Sequence, residues 1–292
     1  MKTYIIGFVD SQFHCLNVDD HNEYLIDFNI VKDPKNILVS FQSSEITRAL
    51  KARKAKVVPE IIDLESLDKQ MSRLGKDERD YSDWTVISAL RDHDLVGSGF
   101  TITQSTMKQF LEKIAELYQL LLDESPEETD RFNTIEKEVN KIIYQRQMQG
   151  ISVNLDLTAD MCATLDHEIY EIKNWLQLEH RIFNPDNAHE QYRYLLSKKY
   201  KLSGSVRETF RAFRFEDLIC EKIYTMMRKQ DDLDSILYLM SHWGRGGRTF
   251  PEYHVFGTIT SRITMRQPAL QNLKKENRKM ILPDTGKQLL YI

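Results

Sequence analysis

Residues 256–275 read FGTITSRITMRQPALQNLKK, and this stretch organises the reading of the whole chain. It carries Arg262, Arg266 and the Lys274–Lys275 pair, with adjacent amides at Gln271 and Asn272 and no acid. From Gly244 to Ile292 there are nine Lys/Arg (Arg245, Arg248, Arg262, Arg266, Lys274, Lys275, Arg278, Lys279, Lys287) and three acids (Glu252, Glu276, Asp284). That segment is about +6 in a chain of net charge -4, so the remainder holds about -10. Such asymmetry points to a local anionic partner rather than to general adhesiveness.

Working outward, bulk properties describe an ordinary soluble globular chain. Its 292 residues are 41% hydrophobic and 29% charged, enough for two or three domains. Eleven glycines and seven prolines leave little room for long linkers. Cys15, Cys162 and Cys220 are far apart and show no metal-ligand or disulfide spacing, so a reducing compartment is the default. No apolar run approaches the roughly 20 residues of a membrane span, and the first residues lack a signal-peptide layout. A cytoplasmic location is expected.

Three zones follow along the chain. TYIIGFVD, HCLNVD, EYLIDFN and ILVSFQ predict short strands. A helix capped by Ser44 is predicted to run to Ala55, and KVVPEIIDLE predicts a strand entering a helix. The middle is helical. Phe132, Ile135, Val139, Ile142 and Ile143 share one face of 129–149. Beyond Gly150 comes an extended Ile151–Asn154, then helices over 157–180, from Asn187 to Lys199, and from Val206 toward Trp243 with a break near 230–234. The last zone predicts strands over 248–262 and a hairpin joining 279–282 to 288–292.

Chemistry in the basic stretch follows from geometry. In an extended segment Thr258, Thr260 and Arg262 project to one side. Gln271 and Asn272 offer amide donors and acceptors. The minor groove of a duplex presents acceptors at similar places for every base pair, so arginine and amides can read its shape without its sequence. Lys274, Lys275, Arg278 and Lys279 suit phosphates. A solvated basic surface is the alternative reading of the same composition.

The wording of GRTFPEYHVFGTITSRITMRQPALQN, residues 247–272, resembles the palm-entry motif of family A DNA polymerases. That motif runs Gly-Arg, about a dozen residues, Thr-Gly-Arg-Leu-Ser-Ser, then Asp-Pro-Asn-Leu-Gln-Asn. Gly247, Arg248, Thr260, Arg262, Pro268, Leu270, Gln271 and Asn272 fall in step, and Arg278–Lys279 occupy the place of a basic pair. Ser261 replaces the glycine, Thr264–Met265 the Ser-Ser pair, and Ala269 the first asparagine, which removes one minor-groove contact. Upstream, IYQRQMQGISVN (143–154) resembles the family's helix end and following turn, with Asn154 in the acid's place; Phe183–Asn184 resembles a thumb step. The resemblance covers about 135–292.

It implies an α+β multidomain chain: a ribonuclease H-like, exonuclease-like α/β domain over 1–125, a helical thumb over 126–243, and the first strands of a palm over 244–292. It also implies a nucleotidyltransferase parent that binds primer–template duplex DNA, with Arg248, Thr260, Arg262, Gln271, Asn272, Lys274, Lys275, Arg278 and Lys279 facing DNA. Polymerisation uses two divalent metals, Mg²⁺, held by palm aspartates. The first would follow the strand that 288–292 resembles. The chain alone is therefore expected not to polymerise. It would be a fragment of a longer enzyme, or one half of a split enzyme whose second polypeptide supplies the deoxynucleoside triphosphate site; one rival is a non-catalytic DNA-binding or accessory subunit, and a second is an active 3′-5′ exonuclease working through the N-terminal domain. The exonuclease half is expected to be degenerate. Asp10 lacks a glutamate two residues on, Asp63 and Glu65 echo only the second motif, and Tyr118 and Asp123 miss the third motif's spacing by one residue. Asp10 and Asp63 are thus weak metal candidates, with turn capping as their alternative role. The eight histidines form no ligand pair at i, i+4.

Overall fold

A computed structural model describes residues 2–20, 23–72, 84–202, 204–244, 246–258, 260 and 262–290. Ser261, Arg245, His21 and 291–292, which figured in the sequence reading, lie outside the described residues. The chain divides into two compact units: 1–150 with 250–271, and 151–249 with 272–292. The expected boundaries at 125/126 and 243/244 differ from this division. Residues 126–150 stay with the first unit, and 250–271 return to it.

The first unit is built on a five-stranded sheet. β1 (Thr3–Val9) and β2 (Gln12–Asn17) form a hairpin whose two turn residues, Asp10 (φ 50°) and Ser11 (φ 62°), both take the left-handed conformation that tight hairpins need. β3 (Tyr24–Ile26) pairs antiparallel with β2, and then the chain turns helical as α1 (Phe28–Lys32). The strand predicted through Asn29 stops early because Asp27 caps α1, accepting from the Asn29 N–H at 2.7 Å. β4 (Ile37–Ser40), α2 (Ser43–Ala52) and β5 (Glu60–Asp63) follow, and β4 runs parallel to both β1 and β5. Ser44 does not cap α2; Gln42 occupies that position without a side-chain cap bond. The Gln42 amide instead extends the ladder of β1, accepting from Phe8 N–H (2.8 Å) and donating to Phe8 O (3.2 Å).

The sheet order is β3-β2-β1-β4-β5, buried on both faces. Ile5, Leu16, Val39 and Ile62 join one core with α3 (Leu64–Ser72), α4 (Val86–Asp92) and α5 (Met107–Glu124). Tyr4, Ile6, Cys15, Leu38 and Ile61 join the other, where Tyr144 packs. Two-sided burial explains why these strands read as continuous apolar runs. α5 approaches so closely that a Cβ on Gly7 would sit 3.0 Å from Leu111. α6 (Pro126–Arg131), a π-helical turn (Phe132–Glu136) and α7 (Lys137–Gln149) complete the 129–149 helix foreseen from the sequence.

The second unit is mostly helical. β6 (Ile151–Val153) leads into α8 (Leu155–His180), capped by Asn154, whose Oδ1 accepts from Leu157 N–H at 3.0 Å. α9 (Ala188–Ser197) is capped by Asn187, as expected. α10 (Val206–Phe213) and α11 (Leu218–Ser241) are separated at 214–217, not at 230–234. Asp217 sets that break: its Oδ1 caps α11 through Ile219 and Cys220, while Oδ2 accepts from Tyr194 (2.6 Å) and Tyr200 (3.0 Å). Leu176, Leu195, Phe210, Cys220 and Ile223 form the core here. β7 (Trp243–Gly244) and β8 (Arg248–Thr249) end this stretch.

In the first unit again, β9 (Glu252–His254) and β10 (Thr264–Arg266) pair as a hairpin, and Val255 and Phe256 pack on Ile143 of α7. In the second, β11 (Ile281–Leu282) joins a sheet of order β11-β6-β8-β7. The predicted hairpin to 288–292 is not formed among the described residues: β11 pairs with β6, and 288–290 are not a strand. Among the described residues, no helix is long and apolar enough to cross a membrane.

Candidate nucleic-acid interface

The described residues between β9 and β10 do not form the extended segment predicted from the sequence. The loop closes on itself: Gly257 N–H donates to Arg262 O (2.9 Å), Arg262 N–H donates to Thr258 Oγ1 (3.1 Å), and the Thr258 and Thr260 hydroxyls lie 3.2 Å apart. Gly257 permits the closure, since a Cβ there would stand 2.1 Å from Thr264 Oγ1. The threonines therefore shape the loop rather than flank a strand. Arg262 is exposed, and no acid pairs with it among the described residues.

Gln271 and Asn272 sit in a 3-10 turn (Leu270–Asn272). Buried Leu270 and Leu273 hold both amides at the surface. Gln271 is not available as drawn from the sequence. Its Oε1 accepts from Met265 N–H and its Nε2 donates to Met265 O, each at 2.9 Å, so it acts as a one-residue strand beside β10. Asn272 is exposed.

In the second unit, a second 3-10 turn (Lys275–Met280) repeats every three residues. Asn277 and Met280 point inward, while Lys275, Arg278 and Lys279 are exposed. Arg278 donates from Nε to Leu273 O at 3.3 Å. Lys274 forms an ion pair with Asp232 of α11. Arg248 is half-buried and serves as a clasp of the four-stranded sheet. Its Nη1 donates to Asp284 Oδ1 and to Ser152 Oγ, both at 2.7 Å, and Ser152 Oγ donates to Asp284 at 3.2 Å. The Arg248 guanidinium holds the Asp284 carboxyl below the usual carboxylate range. Of the nine sequence candidates, then, Arg262, Asn272, Lys275, Arg278 and Lys279 present exposed polar or charged ends. Arg248, Gln271 and Lys274 are engaged internally, and Thr260 shapes the loop. The acids Asp232 and Asp284 were missed, because their partners are 42 and 36 residues away, a relation with no local signature.

The weak metal candidates have local roles in the first unit. Asp10 occupies the β1–β2 turn. Asp63 stands at the start of α3: Oδ1 accepts from Glu65 N–H (3.0 Å) and Oδ2 from Ser43 Oγ (3.0 Å) and Tyr144 OH (3.2 Å). Burial, then the Glu65 charge, pushes its carboxyl up to about 6. The polar cleft around it, lined by Ser43, Ser44, Asp63, Glu65, Tyr144 and His254, holds about 30 Å³. Glu65 is paired to Lys69 at 2.5 Å. His254 is kept neutral by burial and then by Arg266. Internal donors occupy Asp63, and among the described residues no three His, Cys, Asp or Glu side chains gather as metal ligands. These residues do not fit a two-metal nuclease centre.

No protein-family model matches the chain, and no curated protein matches it. A solved structure does: the POL domain of Pol1 from M. smegmatis, in complex with DNA primer-template and dNTP. The superposition has a TM-score of 0.71 at 12% identity and covers 95% of this chain. The chain has a polymerase-like fold. It spans 53% of that solved chain, about half its length.

Proposed function

We propose that this chain binds primer–template duplex DNA as part of a family A, template-directed DNA polymerase. Residues 1–125 form an exonuclease-like scaffold without nuclease activity, 126–243 act as the thumb that grips the duplex, and 244–292 open the palm. The single observation that carries the binding role is the exposure of Arg262, with no ion pair among the described residues, on a loop held by its own backbone and threonine hydroxyls. A guanidinium held this way can enter a minor groove and check its shape, while Lys275, Arg278 and Lys279 meet phosphates. Further support comes from the primer-template and dNTP in the complex of the similar fold, and from the five-stranded α/β sheet of the first unit. On this reading no metal ligand lies among the sequence candidates of this chain.

The test is fluorescence anisotropy with a recessed primer–template duplex. Arg262→Ala should weaken binding by about 1–3 kcal/mol, the range for a side chain at the base edges. Unchanged affinity in a folded Arg262→Ala variant would remove Arg262 from the interface.

A further inference from the structure

Two cations in the candidate interface are paired with acids of the same unit, and the two pairs differ in kind. Arg248 is fixed by directional hydrogen bonds to Asp284 and Ser152 within a sheet. Lys274 meets Asp232 differently. The contact is an ion pair between Lys274 Nζ and Asp232 Oδ1. The Lys274 side chain remains 40% exposed against 22% for Asp232. Asp232 is held on α11, next to Asp231, which pairs with Arg207. Its carboxylate therefore faces a lysine at the head of the basic turn, in the position where an anion would otherwise approach.

We infer that Asp232 stands in for a backbone phosphate at Lys274, and so lowers both the affinity and the salt dependence of the basic turn. The inference rests on the proposed duplex-binding role. A lysine whose charge is already met by a carboxylate neutralises no phosphate, so it releases none of the duplex's condensed counterions and adds nothing to the salt slope. A lysine facing solvent, such as Lys275, adds an increment of about 0.9 for each phosphate it neutralises. Displacing Lys274 onto a phosphate would leave the half-buried Asp232 carboxylate without its cation. The 230–234 stretch that looks like a helix break thus becomes a helical acidic step that tunes the neighbouring basic turn.

The experiment is the salt dependence of affinity for a recessed primer–template duplex, measured by anisotropy on the full chain and three variants. Asp232→Asn should bind several-fold tighter at low salt and steepen the slope by about 0.9. Lys275→Ala should make it shallower by the same amount, while Lys274→Ala leaves it unchanged. A folded Asp232→Asn with the wild-type slope overturns the inference. So does a Lys274→Ala variant that loses as much slope as Lys275→Ala, and this arm decides the matter if Asp232→Asn fails to fold. Failure of the wild-type chain to bind the duplex at all overturns the duplex-binding reading itself, and the inference with it.

Discussion

At the scale of single residues, side-chain identity was legible from the sequence and side-chain engagement was not. Arg262 and Asn272 were singled out by their spacing, and both are exposed. Gln271 was singled out on the same ground, yet Met265 takes both ends of its amide. Asp63 shows the reverse. Its alternative role, capping a turn, is visible in its bond to Glu65 N–H, and its carboxyl also gathers Ser43 and Tyr144. This has a consequence for stability. Folding raises the Asp63 pKa from 3.8 to about 6, so between those values the folded state keeps a proton that the unfolded state has released. Stability should therefore fall as pH rises from about 4 to about 6, and then level off. The shift corresponds to a loss on the order of 3 kcal/mol across the window. Denaturant midpoints measured across that window should show the decline, and Asp63→Asn should flatten it. A stability that rises through the window in wild type would contradict the assignment.

Among the elements, local signals succeeded where the deciding partner was close in sequence. β1, β2, β4 and β5 were readable because the sheet buries both faces, leaving apolar runs between polar turns. Asn187 was readable as a cap because its own side chain makes the bonds. The failures were non-local. β11 pairs with β6, about 130 residues earlier, rather than with the nearer segment after the Pro-Asp-Thr-Gly turn. The break in the 206–243 helix falls where Asp217 is bonded by two tyrosines from elsewhere in the unit, and nothing in its immediate neighbours announces that. Asn154 gives a test at this scale. It starts α8 by accepting from Leu157 N–H. Asn154→Ala should cost about 1 kcal/mol by thermal or denaturant unfolding, while Asn154→Asp should cost less than about 0.5 kcal/mol, because a carboxylate caps equally well and suits the helix N-terminus. Equal losses in both variants would show that the cap is not what Asn154 contributes.

For the whole molecule, the charge asymmetry of the sequence overstates how many cations remain without an internal partner. The basic segment is about +6 by composition. Arg248 and Lys274 are answered by acids of the second unit, and Arg278 is partly committed to a carbonyl. The cations that remain exposed without an ion pair among the described residues include Arg262, Lys275 and Lys279. The fold-level relationship was legible chiefly through a few letters between Gly247 and Asn272, and the identity over the superposition is 12%. The central claim is that these cations hold a primer–template duplex, and the most direct measurement is the slope of log affinity against log salt for the wild-type chain. The three phosphate contacts proposed for Lys275, Arg278 and Lys279 predict a slope of about -3. A slope near zero, or no binding at low salt, would contradict the account.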